Sequence, residues 1–139
     1  MREILFRGRS IFDNKWHFGL LCNHTEGGAA IRDFECGDSL YSVDPETVGQ
    51  YTGLKDVNGG RIFEGDVVCS ATDIGIKWLI SYNESSAMFC AAFPDYPTSS
   101  IRGICKGESG YWMLFGNIHD NPELLNTEKE KGNGNGNDV

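Results

Sequence analysis

Gln50-Tyr51-Thr52-Gly53-Leu54-Lys55-Asp56-Val57-Asn58-Gly59-Gly60-Arg61-Ile62-Phe63-Glu64-Gly65-Asp66-Val67-Val68 is the stretch whose reading decides the fold. Asp56 to Gly60 is a strong turn signal, because Asn-Gly readily supplies the positive φ angles that tight reversals between strands require. Ile62-Phe63 then reads as a short extended piece, Gly65 permits a bend or bulge between Glu64 and Asp66, and Val67-Val68-Cys69 opens the next strand. A chain that reverses, kinks and restarts in so few residues is building β-structure from short steps.

Downstream, Ile74, Ile76, Trp78, Ile80 and Tyr82 alternate with Gly75, Lys77, Leu79 and Ser81. This is the clearest strand in the sequence, with one face directed to a core. Asn83-Glu84-Ser85-Ser86 reads as a turn, and the nearly continuous apolar run Ala87 to Phe93 as a buried strand pairing back on it. Asp95 to Ser100, flanked and interrupted by Pro94 and Pro97, reads as a loop. Ile101 to Cys105 and Tyr111 to Ile118 look like two further strands around the turn Lys106 to Gly110. Asn121-Pro122-Glu123-Leu124-Leu125 offers a cap, a first-turn proline and two apolar residues, and predicts a final helical turn. From Asn126 the composition shifts to Glu, Lys, Gly and Asn, which cannot offset ordering entropy by burial, so residues 126–139 are expected to be disordered.

Upstream, Ile4-Leu5-Phe6 reads as a first strand and Asp13-Asn14 as a turn. Trp16, Phe18 and Leu20 then alternate with His17, Gly19 and Leu21, placing three large apolar side chains on one face of a second strand. Gly27-Gly28 breaks the chain, and Ala30-Ile31 and Leu40-Tyr41 are islands consistent with brief strands. Asp44-Pro45-Glu46 predicts one capped helical turn that Gly49 ends quickly. Together these elements predict a mostly β protein: a small SH3-like barrel over residues 62–125, a smaller β-rich lobe over residues 1–49, and a turn-rich connector over residues 50–61.

The size of 139 residues admits one core or two small lobes. Apolar residues at 40%, charged residues at 23%, aromatics at 12% and 18 glycines fit short strands joined by tight turns. The net charge of −8 is uneven: residues 1–15 carry +2, residues 16–125 carry −9 and the remaining tail −1. A body so acidic repels phosphate backbones and anionic lipid, leaving only the basic arm Arg2, Arg7 and Arg9 suited to nucleic acid. No stretch approaches the ~18 apolar residues of a membrane span, and the charged start lacks the apolar run of a signal peptide. The expected location is the cytoplasm. Five cysteines, Cys22, Cys36, Cys69, Cys90 and Cys105, are odd in number and widely spaced, which suits reduced thiols better than a disulfide framework.

Met1-Arg2-Glu3-Ile4-Leu5-Phe6-Arg7, the Gln50 to Val68 segment and Phe115-Gly116-Asn117-Ile118-His119-Asp120-Asn121-Pro122-Glu123-Leu124-Leu125 together resemble the YopX family of phage and prophage proteins. Order and spacing agree across nearly the whole chain, more weakly over Arg9 to Asp44 and Ser70 to Trp112. Leu5 departs from the Lys that often follows Ile in the opening. The resemblance implies a β-rich fold with a barrel-like C-terminal part and a phage or integrated-element origin inside a bacterial cell. It implies no catalytic residues, since the family is one of unknown function.

Four constellations invite chemistry. Asp56, Glu64 and Asp66 are three hard oxygen donors near one turn and could hold Mg²⁺ or Ca²⁺ for a hydrolase, but Asx residues at turns more often bond their own backbone. Cys22, His24, Cys36 and His119 include zinc-type donors, yet the spacing is irregular and no C-x-x-C occurs. Cys22 with His119 makes a nominal nucleophile–base pair that nothing local marks as activated. Tyr51, Tyr96, Tyr111 and Trp112, with Arg61 and Arg102, could stack single-stranded bases, although core packing accounts for such aromatics equally well. No catalytic, cofactor-binding or metal-ligating residue is assigned on these grounds, and no cofactor is expected. The expected function is a non-enzymatic protein-interaction module, with a host or phage protein as partner and self-association through exposed sheet edges or the first lobe. The alternatives are single-stranded nucleic-acid binding, acidic mimicry of DNA against a host protein, and a metal-dependent hydrolase.

Overall fold

The computed structural model describes residues 1–25, 27–70, 72–93, 102–105 and 110–125. The expected loop from Asp95 to Ser100, residues 106–109 of the expected turn from Lys106 to Gly110, Tyr96 and the expected disordered tail lie outside the described residues. Those that are described form eleven strands and two short 3₁₀ turns, so the chain is mostly β. It divides into two compact units, Met1–Gly53 and Leu54–Val139.

In the first unit, β1 (Phe6–Arg9), β2 (Trp16–Thr25), β3 (Gly28–Asp33), β4 (Ser39–Val43) and β5 (Gly49–Lys55) lie in the order β4-β3-β2-β1-β5. The β2–β3 and β3–β4 steps are antiparallel hairpins, and β2 carries a bulge between Leu21 and Asn23. Ser10 bridges Val43, so the sheet curls until the end of β1 meets the end of β4. At Gly8 and Gly19 neighbouring strands leave no room for a side chain. A Cβ at Gly8 would stand 2.6 Å from Val43 Cγ2, and one at Gly19 only 1.9 Å from the Arg32 carbonyl oxygen. The inner face is a small core of Ala29, Ile31 and Val43, flanked by Phe6, Leu21 and Val48. The 3₁₀ turn Pro45–Thr47 forms as its sequence dictates: the Asp44 side chain accepts the Glu46 N–H, proline occupies the first turn, and Val48 ends it.

β5 runs across the boundary, and its last residues, Leu54 and Lys55, enter the Asp56–Gly60 turn that leads into β6 (Arg61–Phe63), the strand beside it. Gly59 (φ 85°) and Gly65 (φ 90°) adopt the left-handed conformation that the turn and the kink need. β7 (Asp66–Ser70), β8 (Asp73–Asn83), β9 (Met88–Ala92), β10 (Arg102–Gly103) and β11 (Trp112–Asn117) make an antiparallel sheet in the order β10-β9-β8-β7-β11. Leu54, Ile62, Val68, Ile80, Ala91, Ile104 and Trp112 form its core, with Trp78, Phe89 and Leu114 packed against them. The second 3₁₀ turn, Pro122–Leu125, follows β11.

Two expectations are corrected. The C-terminal strands form an open sheet and do not close into an SH3-like barrel. Its end strands β10 and β11 do not pair among the described residues, and β10, only two residues long, has too few backbone groups to seal a seam. The alternating face of β8 is only partly core: Ile80 is fully buried, but Ile74 and Ile76 are exposed. The reason is reach. β9 pairs only from Leu79 to Asn83, so the earlier half of β8 has β7 alone beside it.

Candidate functional site

The sequence-derived candidates separate on contact with geometry. Asp56 is buried, and its carboxylate is consumed by the backbone: Oδ1 accepts N–H from Asn58 (2.9 Å) and Gly60 (2.8 Å), and Oδ2 accepts N–H from Leu114 (3.2 Å). Asp66 is buried too and accepts the Phe63 N–H at 2.7 Å, closing the kink at Gly65. Among the described residues, Asp56, Glu64 and Asp66 do not gather into a group able to share an ion. Their arrangement organises turns.

Among the described residues, Cys22, His24, Cys36 and His119 do not form a group able to share an ion. Cys22 and His24 lie on the exposed end of β2, with His24 Nε2 3.3 Å from the Pro45 carbonyl across an open groove lined also by Thr25, Asp44 and Glu46. His119 belongs to the turn after β11, where its N–H donates to Asn117 Oδ1. Cys36 is exposed in the turn between β3 and β4. Of the proposed stacking platform, Tyr51 and Trp112 are buried in the fold. Tyr111 is exposed, and the Arg102 guanidinium lies 5.2 Å over the Trp112 ring. In the basic arm, Arg7 is buried and lies 4.8 Å over the Trp16 ring, with Arg9 at 5.9 Å over the same indole.

Two features escape sequence reading. The first is the outer face of the first-unit sheet. Phe18 and Leu20 share one side of β2, and register places Leu20 opposite Arg32 and Arg32 opposite Leu40, so the three stand in a row across β2, β3 and β4. Phe18, Leu20 and Leu40 are 42%, 47% and 61% exposed, and the Arg32 guanidinium lies 5.4 Å over exposed Phe34. Arg32 is held in place by Asp38, at 2.9 Å from Nε and 3.3 Å from Nη2, and hydrogen bonding to that carboxylate raises the guanidinium pKa. Trp16, Phe18 and Leu20 do share a face, as their alternation predicts. That face looks outward, because the inner positions are held by His17 and Gly19. The signal was present in the alternation; its direction was not.

The second feature is the His17–Asp33 pair on the inner face. His17 Nδ1 stands 3.2 Å from Asp33 Oδ2, both residues are buried, and the imidazole stacks on Tyr41 at 3.7 Å between ring centres. Burial pushes the Asp33 carboxyl up, but hydrogen bonds from His17, Phe18, Cys36 and Glu35 outweigh it and hold the group below its ordinary 3.8. Asp33 is therefore a carboxylate, and His17 Nδ1–H is its donor. No spacing motif marks this pair, because the β2–β3 hairpin alone brings the two together.

Residues 6–126 match the family described as YopX protein. The chain belongs to the YopX family. A solved structure similar to this YopX-family chain is that of protein EF1440 from Enterococcus faecalis, with a TM-score of 0.51 and 20% sequence identity, covering 90% of this chain and 99% of that one. At that identity the likeness concerns the fold. Comparison with curated proteins gave no match. The YopX match spans both sheets, including the outer face of β2–β4 and the Asp56 turn. No helix among the described residues is long and apolar enough to cross a membrane.

Proposed function

We propose that this YopX-family chain is a non-enzymatic phage or prophage accessory protein, working in the bacterial cytoplasm, that binds another protein through the outer face of its first sheet. The observation that carries the reading is the row Leu20–Arg32–Leu40 with Phe18 and Phe34 beside it, all exposed on β2, β3 and the turn and strand that follow. Aromatic and arginine side chains among aliphatics are the composition enriched at the centres of protein interfaces. Such a patch favours a partner surface bearing aliphatic or aromatic side chains, whose burial supplies the affinity, while Arg32, fixed by Asp38, gives orientation. Nucleic acid is favoured less, because Arg7 and Arg9 are packed on Trp16.

The test compares wild type with Leu20→Glu/Leu40→Glu, both exposed positions, in cells carrying the phage or element from which the chain derives. The expected result is one defined protein co-purifying with wild type, rebinding after separate purification, and lost from the double variant while its circular dichroism is unchanged. Equal rebinding by both forms would remove this face from the proposal. Light scattering on the same pair reads self-association: a mass that falls in the double variant would make a second copy the partner.

A further inference from the structure

We propose that His17, Asp33 and Cys36 form a binding site for a divalent transition metal of the zinc class. One nitrogen, one oxygen and one sulfur ligand atom from these residues all lie within 4.8 Å of one another. They are the one such group of three among the described His, Cys, Asp and Glu side chains. Sequence spacing conceals them, since His17 sits near the start of β2, Asp33 ends β3 and Cys36 is in the turn that follows.

The geometry is already close to what a metal requires. His17 Nδ1 and Asp33 Oδ2 stand 3.2 Å apart. Two ligands at about 2.0–2.1 Å in a tetrahedral zinc sphere are separated by about 3.3 Å, so this pair spans one edge of the sphere without rearrangement. Cys36 approaches from the exposed side and needs to close by about an ångström to complete a third vertex. The Tyr41 hydroxyl lies beside the group, 3.3 Å from Cys36 Sγ.

Each ligand is positioned by other contacts. Asp33 Oδ1 accepts the N–H groups of Glu35 (3.0 Å) and Cys36 (3.1 Å), which folds the turn back toward the carboxylate. Tyr41 stacks on His17 and donates its hydroxyl to the Cys36 carbonyl (2.9 Å) and sulfur, which holds the turn residue beside the imidazole.

The proton balance is workable. In the metal-free protein Nδ1–H is bonded to Asp33, while the buried Nε2 has no hydrogen-bond partner. The choice of tautomer therefore rests on Asp33 alone. Moving the ring proton to Nε2 frees Nδ1 at the expense of the bond to Asp33 and of an N–H left buried at Nε2, and the metal–nitrogen bond has to outweigh both. Cys36 gives up its thiol proton to solvent, so binding releases one proton. A mixed nitrogen, oxygen and thiolate set selects zinc or cobalt over magnesium or calcium. Occupation would tie β2 to the β3–β4 turn.

The experiment uses the full chain, stripped with chelator and kept reduced, titrated with Co²⁺ and then Zn²⁺. Expected are a thiolate-to-cobalt charge-transfer band, visible absorption of a tetrahedral ion, displacement by Zn²⁺ but not Mg²⁺, and a rise in melting temperature. Cys36→Ser, at an exposed position that leaves the core intact, abolishes the charge-transfer band and weakens binding about tenfold or more. Cys22→Ser leaves both unchanged. A Zn²⁺-dependent shift of the His17 ring nitrogens in NMR of the wild type reports the nitrogen ligand without a core substitution. Absence of the charge-transfer band, its persistence in Cys36→Ser, or its loss in Cys22→Ser would overturn the site.

Discussion

Asp56 shows how one side chain can hold a turn and a distant strand together. Its two oxygens accept three backbone N–H groups, two within the turn and one from Leu114 on β11. Asp56→Ala leaves the half-buried Gly60 and Leu114 N–H groups without that acceptor, while the exposed Asn58 N–H can turn to water, and each unsatisfied donor costs about 1–3 kcal/mol. The expected loss is about 2 kcal/mol in a denaturant titration, with no dependence on added Mg²⁺. Asp33 makes a pH-dependent contribution of defined sign. Its carboxyl is depressed in the folded chain, so the stability it supplies is complete above the unfolded value near 3.8 and is lost as pH falls through the lower native value. The melting temperature of the wild type should fall as pH is taken below about 4, and Asp33→Asn should flatten that slope.

At the scale of elements, the β2–β3 hairpin is the most exacting piece of backbone in the first unit. Gly19→Ala places a Cβ 1.9 Å from the Arg32 carbonyl oxygen, a backbone atom that cannot move aside as a side chain would. The expected cost is about 3 kcal/mol, read as a lower unfolding midpoint with loss of amide protection in β2 and β3. The turn at Asp56–Gly60, the 3₁₀ turn after Asp44 and the strand character of β8 were legible because each rests on local chemistry: Asn-Gly, an Asp-Pro cap, strict alternation. Burial was not legible from the same pattern. Alternation says which side chains share a face and is silent on which face meets a neighbour, so Phe18 and Leu20 turn outward, and Ile74 and Ile76 lie beyond the reach of β9. The His17–Asp33–Cys36 group was hidden for a related reason: hairpin register, not spacing in the chain, assembles it.

At the scale of the whole molecule, each compact unit has its own apolar centre, one around Ile31 and Val43 and the other around Ile80 and Trp112. Trp112 is 1% exposed, so Trp112→Ala should remove about 3–5 kcal/mol from the second unit. Hydrogen exchange checks where that loss falls: protection should drop across β7, β8 and β9 more than across β2 and β3. The fold class and the family followed from sequence because turn chemistry and segment order are written locally. Barrel closure did not follow, because it depends on whether two edge strands are long enough to meet, and β10 is not.

The bulge in β2 has a bearing on how chains of this fold can vary in length. Leu21 pairs with Ile31 and Asn23 with Ala30, which leaves Cys22 as the residue the ladder does not count. A deletion at Phe18 or Gly19 would rotate every following side chain of β2 to the opposite side and bring the outer row into the core. Removal of Cys22 alone lets the flanking pairs close up with their facing preserved. The hairpin thus contains one position at which its two arms can differ by a residue without exchanging inside for outside, and natural insertions and deletions in this arm should concentrate there.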